Sequence, residues 1–133
     1  MKFAFLFGNT LNSQKITFAD VYGNGYTPTE YVGNEYTERF RLNSSISYIS
    51  NCEFRFCSSN EYGGALYCYS SDYKLLVEQS SFISCRTAST KGGGICYFPI
   101  GSSECAMIRM CAYNCSSTYK GHSSVYGQTA YIS

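Results

Sequence analysis

A long-period repeat constrains this chain more than any other feature. The run Asn51-Cys52-Glu53-Phe54-Arg55-Phe56-Cys57-Ser58, followed by Gly63-Gly64-Ala65-Leu66-Tyr67, is echoed downstream. The echo reads Ser80-Ser81-Phe82-Ile83-Ser84-Cys85-Arg86, followed by Gly92-Gly93-Gly94-Ile95-Cys96-Tyr97. Phe54 to Phe82 and Cys57 to Cys85 are each 28 positions, and Leu66 to Ile95 is 29. A weaker copy, Ala112-Tyr113-Asn114-Cys115-Ser116 and then Ser123-Ser124-Val125-Tyr126, follows at 30. Ile49, Val77 and Met107 recur in the same frame. A period of this size means stacked supersecondary units, each burying its apolar face on the next.

The units are built of strands. Residues 65–69, 73–78 and 81–85 are short runs rich in Tyr, Phe, Leu, Val and Ile, separated by Ser, Asp, Asn and Gln. Such residues suit a half-buried pleated surface and such punctuation suits turns. No segment has the i, i+3, i+4, i+7 apolar spacing of a capped helix. Three short strands per unit predict an all-β parallel solenoid of about three to four coils with 28–30-residue repeats. Equivalent residues then form columns about 4.8 Å apart. The expected columns are Leu66, Ile95 and Val125; Phe54 and Phe82 tapering to Ala112; and Cys57, Cys85 and Cys115. The pairs Gly63-Gly64 and Gly93-Gly94 fall where the chain bends before a strand, using glycine's freedom at positive φ. A β-sandwich accounts equally for strand density but not for the long period.

The elements Phe54-x-x-Cys57…Gly63-Gly64-Ala65-Leu66-Tyr67 and Phe82-x-x-Cys85…Gly93-Gly94-Ile95 resemble a known repeat class. They look like polymorphic outer-membrane-protein repeats, with their Phe-x-x-Asn and Gly-Gly-Ala-Ile-like elements. They are more closely similar to right-handed β-helix surface proteins of parasitic protists, where Cys often replaces that Asn. The third unit, running from Met110-Cys111-Ala112-Tyr113-Asn114-Cys115 to Gly127-Gln128-Thr129-Ala130-Tyr131, resembles the same proteins. The likeness covers about residues 45–133 and leaves 1–44 unmatched. It implies a right-handed, pectin-lyase-like parallel β-helix acting as an adhesive or structural surface module, usually without catalysis. The change from Asn to Cys removes the bacterial Asn ladder, so secretion by autotransport does not carry over.

The expected organisation is a degenerate first coil or N-terminal cap over 1–44, then repeats at about 45–72, 73–102 and 103–133. Within 1–44, residues 3–7 and 16–18 read as strands. A cap would cover the open end of the core, which solenoids must protect. Nothing around Tyr131-Ile132-Ser133 reads as a matching cap, so a fragment of a longer solenoid or a stacking partner is expected there.

Charge and chemistry narrow the function. Ten Lys and Arg against nine Asp and Glu leave a net charge of +1, with no electrostatic case for nucleic acid or an anionic membrane. No apolar run approaches the ~20 residues of a membrane span. Met1-Lys2-Phe3-Ala4-Phe5-Leu6-Phe7 imitates a signal peptide, but Asn9-Thr10-Leu11-Asn12 cuts the apolar run short. A cell-surface or extracellular location therefore follows from the resemblance and not from a targeting segment. The sequons Asn43-Ser44-Ser45 and Asn114-Cys115-Ser116 decide nothing in so Ser-rich a chain.

Eight Cys invite disulfides, and coil spacing falls within the ~4.4–6.8 Å window for bridged Cα atoms. Three in one column cannot all pair, and buried Cys packs as a small hydrophobe, so structural thiols are the main expectation. Cys52-x4-Cys57 and Cys111-x3-Cys115 are not zinc-knuckle spacings, and His122 is the single His, so no metal or cofactor is expected. A glycosidase needs two carboxylates ~5–9.5 Å apart. Glu53 maps beside Ser81 and Glu78 beside Ile108, so no acidic column is expected and no catalytic residue is assigned. Lys91-Gly92-Gly93-Gly94 lacks the order of a phosphate loop. Fourteen Tyr either fill corners and surface ladders or present an aromatic face to partners. The functional expectation is a non-catalytic, adhesion-type module whose repetitive face meets a host-cell protein or glycan, or neighbouring coils of a longer chain. The alternatives are a polysaccharide lyase- or hydrolase-like enzyme remnant and a structural spacer.

Overall fold

The computed structural model describes residues 3–6, 15–88, 92–117 and 130–132. The chain is mostly β, with sixteen strands and one short helix among the described residues. Every strand pair is parallel, and the four sheets remain open. The first sheet runs Phe3–Leu6, Glu104–Ile108, Lys74–Glu78, Ile46–Ser50, Thr29–Val32. The second runs Cys111–Tyr113, Ser81–Ile83, Glu53–Arg55, Glu35–Tyr36. The third holds Ser116–Ser117, Arg86–Thr87 and Ser58–Ser59; the fourth holds Ala130–Ile132, Ile95–Ile100, Leu66–Ser71 and Phe40–Arg41. From residue 46 the chain visits the sheets in a fixed order, then returns to the first and repeats.

Parallel in-register pairing places like residues on like. Ile49 pairs with Val77, and Val77 with Met107. Phe54 pairs with Phe82, and Phe82 with Ala112. The Phe54 and Phe82 rings stack with centroids 4.6 Å apart and planes 3° apart, both fully buried. Such a pair adds about 0.5–1.5 kcal/mol to its area burial. Leu66 pairs with Ile95 as expected, but the next partner of Ile95 is Ala130. Val125 lies outside the described residues and is not at that register position. The last repeat carries five extra residues before its fourth-sheet strand, so counting a constant 30 chose the wrong partner.

The glycine register also differs by one. With Leu66 opposite Ile95, the equivalents of Gly63-Gly64 are Gly92-Gly93, and Gly94 stands opposite Ala65. Gly63 and Gly92 hold the positive φ, at 69° and 63°. Gly64 has a different need. A Cβ there would lie 2.1 Å from the Gly93 carbonyl oxygen and 2.4 Å from that of Arg86.

Each circuit turns through single left-handed residues. Gly33, Asn51, Gln79 and Arg109 form one corner, and Phe56, Ser84 and Asn114 another, all at φ between 46° and 68°. The N–H groups of Gly33, Asn51 and Gln79 donate to the carbonyls of Ser50, Glu78 and Ile108 on the following circuit at 3.0 Å. Those of Phe56 and Ser84 do the same to Ile83 and Tyr113 at 2.9 and 2.8 Å. The turn thus directs the next side chain inward: Cys52 and Ser80 at the first corner, Cys57, Cys85 and Cys115 at the second.

Residues 29–41 make an abbreviated first circuit, contributing strands to the first, second and fourth sheets but none to the third. Its register positions over the core columns are aromatic. Tyr31 lies over Ile49, Tyr36 over Phe54 and Phe40 over Leu66. Tyr36 stacks on Phe54 and on Phe40 at 4.8 Å, and Tyr31 meets Phe40 edge-on at 5.0 Å. These half-buried rings close that end of the core.

Residues 15–22 do something else. The strand expected at 16–18 is replaced by the helix Phe18–Tyr22, started by Thr17, whose hydroxyl accepts from the Asp20 N–H while Asp20 accepts from the Thr17 N–H. This segment does not plug an end. It covers the outer flank of the first sheet, where Phe18 packs with Tyr48, Leu76, Ala106 and Ile108 in a second core. The strand Phe3–Leu6 pairs with Glu104–Ile108 at the far edge of that sheet. The three inner strands of the first sheet, Ile46–Ser50, Lys74–Glu78 and Glu104–Ile108, are therefore buried on both faces. Gly64→Ala should lower the unfolding free energy by about 3 kcal/mol, the range of core overpacking. Gly25→Ala, with no atom near its Cβ position, should change it by less than ~0.5 kcal/mol. Urea denaturation of both variants checks this.

Candidate binding groove

The first circuit passes from Glu35–Tyr36 to Phe40–Arg41 by a short link, whereas the second takes a longer path through 58–62. The edge of the third sheet at Ser58–Ser59 consequently has no first-circuit strand beside it. A hollow of about 450 Å³ opens there, lined by Arg39, Asn60, Glu61, Tyr62 and Tyr67. A second hollow of about 320 Å³, lined by Ser58, Ser59, Asn60, Arg86, Thr87 and Ala88, shares Asn60 with it.

Arg39 is the organising residue. It donates to the carbonyl oxygens of Gly63 at 3.1 Å and Tyr62 at 2.5 Å, and to Glu61 Oε2 at 2.7 Å. Arg41 bonds the same Glu61 oxygen. Residues 39 and 41 are two apart, which directs both guanidinium groups to one side of the extended chain. The Tyr67 ring lies beneath them, 4.7 Å from the Arg39 guanidinium carbon and 5.7 Å from that of Arg41. Hydrogen bonding from Arg39, then the charges of both arginines, hold the Glu61 carboxyl below the usual carboxylate range. The Thr87 hydroxyl donates to the Glu61 carbonyl oxygen and ties the loop to the third sheet.

The residues singled out from the repeat, Phe54, Phe82, Cys57, Cys85, Gly63, Gly64, Gly93, Gly94, Leu66 and Ile95, are buried and line the core or its corners. They build the scaffold and leave its groove to other residues. Arg39 and Arg41 fall in 1–44, where no repeat register is legible, and Glu61 falls in the variable loop between Cys57 and Gly63. The available signal was the alternation Arg39-Phe40-Arg41, one apolar residue between two cations, as on a strand with one buried face.

Seven cysteines are described in side-chain detail, and none of them forms a disulfide. Cys57, Cys85 and Cys115 stack at the second corner. Each thiol donates to a carbonyl one circuit earlier, those of Tyr36, Phe54 and Phe82, at 3.3, 3.4 and 3.3 Å. Each also meets the carbonyl two residues back. Cys52 repeats the pattern at the first corner, onto Tyr31 at 3.2 Å. Contact with the Cys85 thiol, then burial, raises Cys115 well above the ordinary thiol range. Burial alone pushes Cys105 up to about 12. Cys85 and Cys115 are thus protonated corner donors and Cys105 a protonated thiol within a strand, whereas contact with the Cys85 thiol shifts Cys57 down. Among the described residues no cluster of His, Cys, Asp or Glu could hold a metal ion, and no helix is long and apolar enough to cross a membrane.

The carboxylates stand differently from expectation at one place. Glu53 pairs with Ser81 and Glu78 with Ile108 as expected, but Glu35 is the register partner of Glu53. An acidic pair therefore exists on the second sheet, found only because 29–41 forms a circuit. Arg55 sits on Glu53. Glu78, fully buried, is the other notable acid. It accepts from the Ile16 N–H at 3.1 Å, Tyr48 Oη at 2.9 Å, Ser50 Oγ at 3.0 Å and Arg109. Burial pushes its pKa up, but these four donors outweigh burial and leave it below the ordinary 4.5. Glu78 pins residues 15–16 to the flank of the first sheet.

Compared with known proteins, the chain matches no family model, no curated sequence and no solved structure.

Two outcomes follow from these groups. Iodoacetamide should label exposed Cys111 in the native protein, so Cys111→Ser should lower native labelling by one group while the buried thiols react only after unfolding. Mass spectrometry with and without urea reads this. Because the folded pKa of Glu78 is lowered, its stabilisation is present above pH 4.5 and is lost as pH falls through the folded value. Glu78→Gln should cost on the order of 3 kcal/mol at pH 7 by leaving Arg109 without its charge partner. It should also flatten the acid limb of the stability profile measured by urea unfolding.

Proposed function

We propose that the chain is a right-handed parallel β-helix of the pectin-lyase-like type, and that it serves as a non-catalytic cell-surface or extracellular binding module. The ordered return through successive parallel sheets and the stacking of like residues support the first part. So do the thiols of the Phe-x-x-Cys elements, which serve as corner hydrogen-bond donors where related repeats carry Asn. The binding role rests on one observation above all: an open lateral groove whose arginines are held in place over a tyrosine. Arg and Tyr are the residue types enriched where proteins meet partners.

A partner in this reading is a surface protein or a glycan, and the repeated columns act as a rigid support. Glu35 beside Glu53 keeps a second reading in play, a carbohydrate-active remnant, because adjacent rungs bring two carboxylates within ~5 Å of backbone separation. One experiment separates the two. Titration of the labelled chain onto intact cells and immobilised glycans should give saturable binding that Arg41→Ala weakens, with no turnover of acidic polysaccharides. Absence of saturable binding would overturn the module reading. Turnover abolished by Glu53→Gln would establish the enzyme reading instead.

A further inference from the structure

The geometry points to an acidic protein segment as the ligand of this groove, with Glu61 acting as a built-in occupant that a partner's Asp or Glu side chain displaces. This inference rests on reading the chain as a binding module and names its partner chemistry. Glu61 Oε2 is shared by the Arg39 and Arg41 guanidinium groups, so a peptide carboxylate already sits in the site. The Glu61 side chain is 64% exposed and Arg41 is 58% exposed, and an exposed ion pair of this kind is weak and exchangeable. Arg39 is only 13% exposed and is held by the Tyr62 and Gly63 carbonyls, so its guanidinium stays in place when Glu61 swings out. A fixed cation, a mobile cation and a removable anion make a receptor for a carboxylate.

The same groups argue for a peptide over a sugar. A sugar ring would need the face of Tyr67, and that ring already carries the two guanidinium groups, at 4.7 and 5.7 Å. The second hollow, which shares Asn60 with the first, carries exposed Arg86 among Ser58, Ser59 and Thr87 and adds a second cationic station. An extended acidic segment can meet both stations. Recognition of acidic motifs by arginine clusters is an established mode of peptide binding.

The test is fluorescence anisotropy with a labelled Glu-Ser repeat peptide, its Gln-Ser counterpart and hyaluronan oligosaccharides, titrated with the intact chain at low and physiological salt. Circular dichroism checks that each variant is folded. The Glu-Ser peptide should bind saturably and lose affinity with salt. Arg41→Ala should weaken it about tenfold, the scale of one charge-assisted contact. Glu61→Gln should tighten it about threefold by removing the internal competitor, an effect that misfolding does not imitate. Arg55→Ala, on the second sheet, should leave it unchanged. No saturable binding of the Glu-Ser peptide, equal binding of the Gln-Ser peptide, or unchanged or weaker binding by Glu61→Gln would overturn the inference, as would tighter binding of hyaluronan. If the chain binds cells saturably and Arg41→Ala binds equally well, this inference fails while the module reading stands. If the wild type binds neither cells nor peptide, both fail.

Discussion

Main-chain pairing between successive circuits is the interaction on which the rest of this structure depends. Parallel strands in register bring each residue within about 4.8 Å of its equivalent one circuit away. A residue must then be compatible with its register partners one circuit away. Phe54 on Phe82 satisfies this with parallel rings, and Ile49, Val77 and Met107 with a continuous aliphatic stack. A buried charge is tolerable only when its neighbours supply enough donors to replace water. Glu78 meets that condition through Ser50, Tyr48, Arg109 and the Ile16 N–H.

Corners carry the strain that regular strands avoid. A non-glycine residue at positive φ costs roughly 1–2 kcal/mol. The chain accepts this at Asn51, Phe56, Asp72, Gln79, Ser84, Arg109 and Asn114. Stacking the same conformation in adjacent circuits lets the N–H of one corner bond the carbonyl of the next. The following residue then points inward, and its thiol or hydroxyl satisfies carbonyls that the bend leaves out of the ladders. Cysteine suits this place because it is small and apolar enough for the core yet still a donor.

The groove arises from a mismatch between circuits. Where every circuit is alike, the outer surface is a set of smooth ladders. The first circuit omits the third sheet, so the longer path of the second stands clear of it, and Arg39 and Arg41 face Glu61 across the gap. Scaffold and site therefore obey opposite rules: repetition builds one and its interruption builds the other. That is why the residues most visible in the repeat are not those that line the groove.

The β class, the parallel stacking and the Phe, Cys and aliphatic columns from Ile49 to Cys115 are legible in the chain, because in-register pairing writes its period directly into it. The remaining features depend on contacts between distant segments. The register of the aromatic circuit at 29–41 was hidden because its offset is 18 residues at Tyr36 and 26 at Phe40, not 28. Ala130, not Val125, meets Ile95 because an insertion lies between them. The helix at Phe18–Tyr22 was too short for periodicity to reveal, although Thr17 and Asp20 mark its start. Phe56 and Gln79 turn left-handed through the hydrogen bonds of neighbouring circuits, not through any preference of their own side chains. A repeat specifies what is the same from circuit to circuit. The flank cover, the end lid and the groove are made of differences, and those acquire meaning only when the circuits lie side by side.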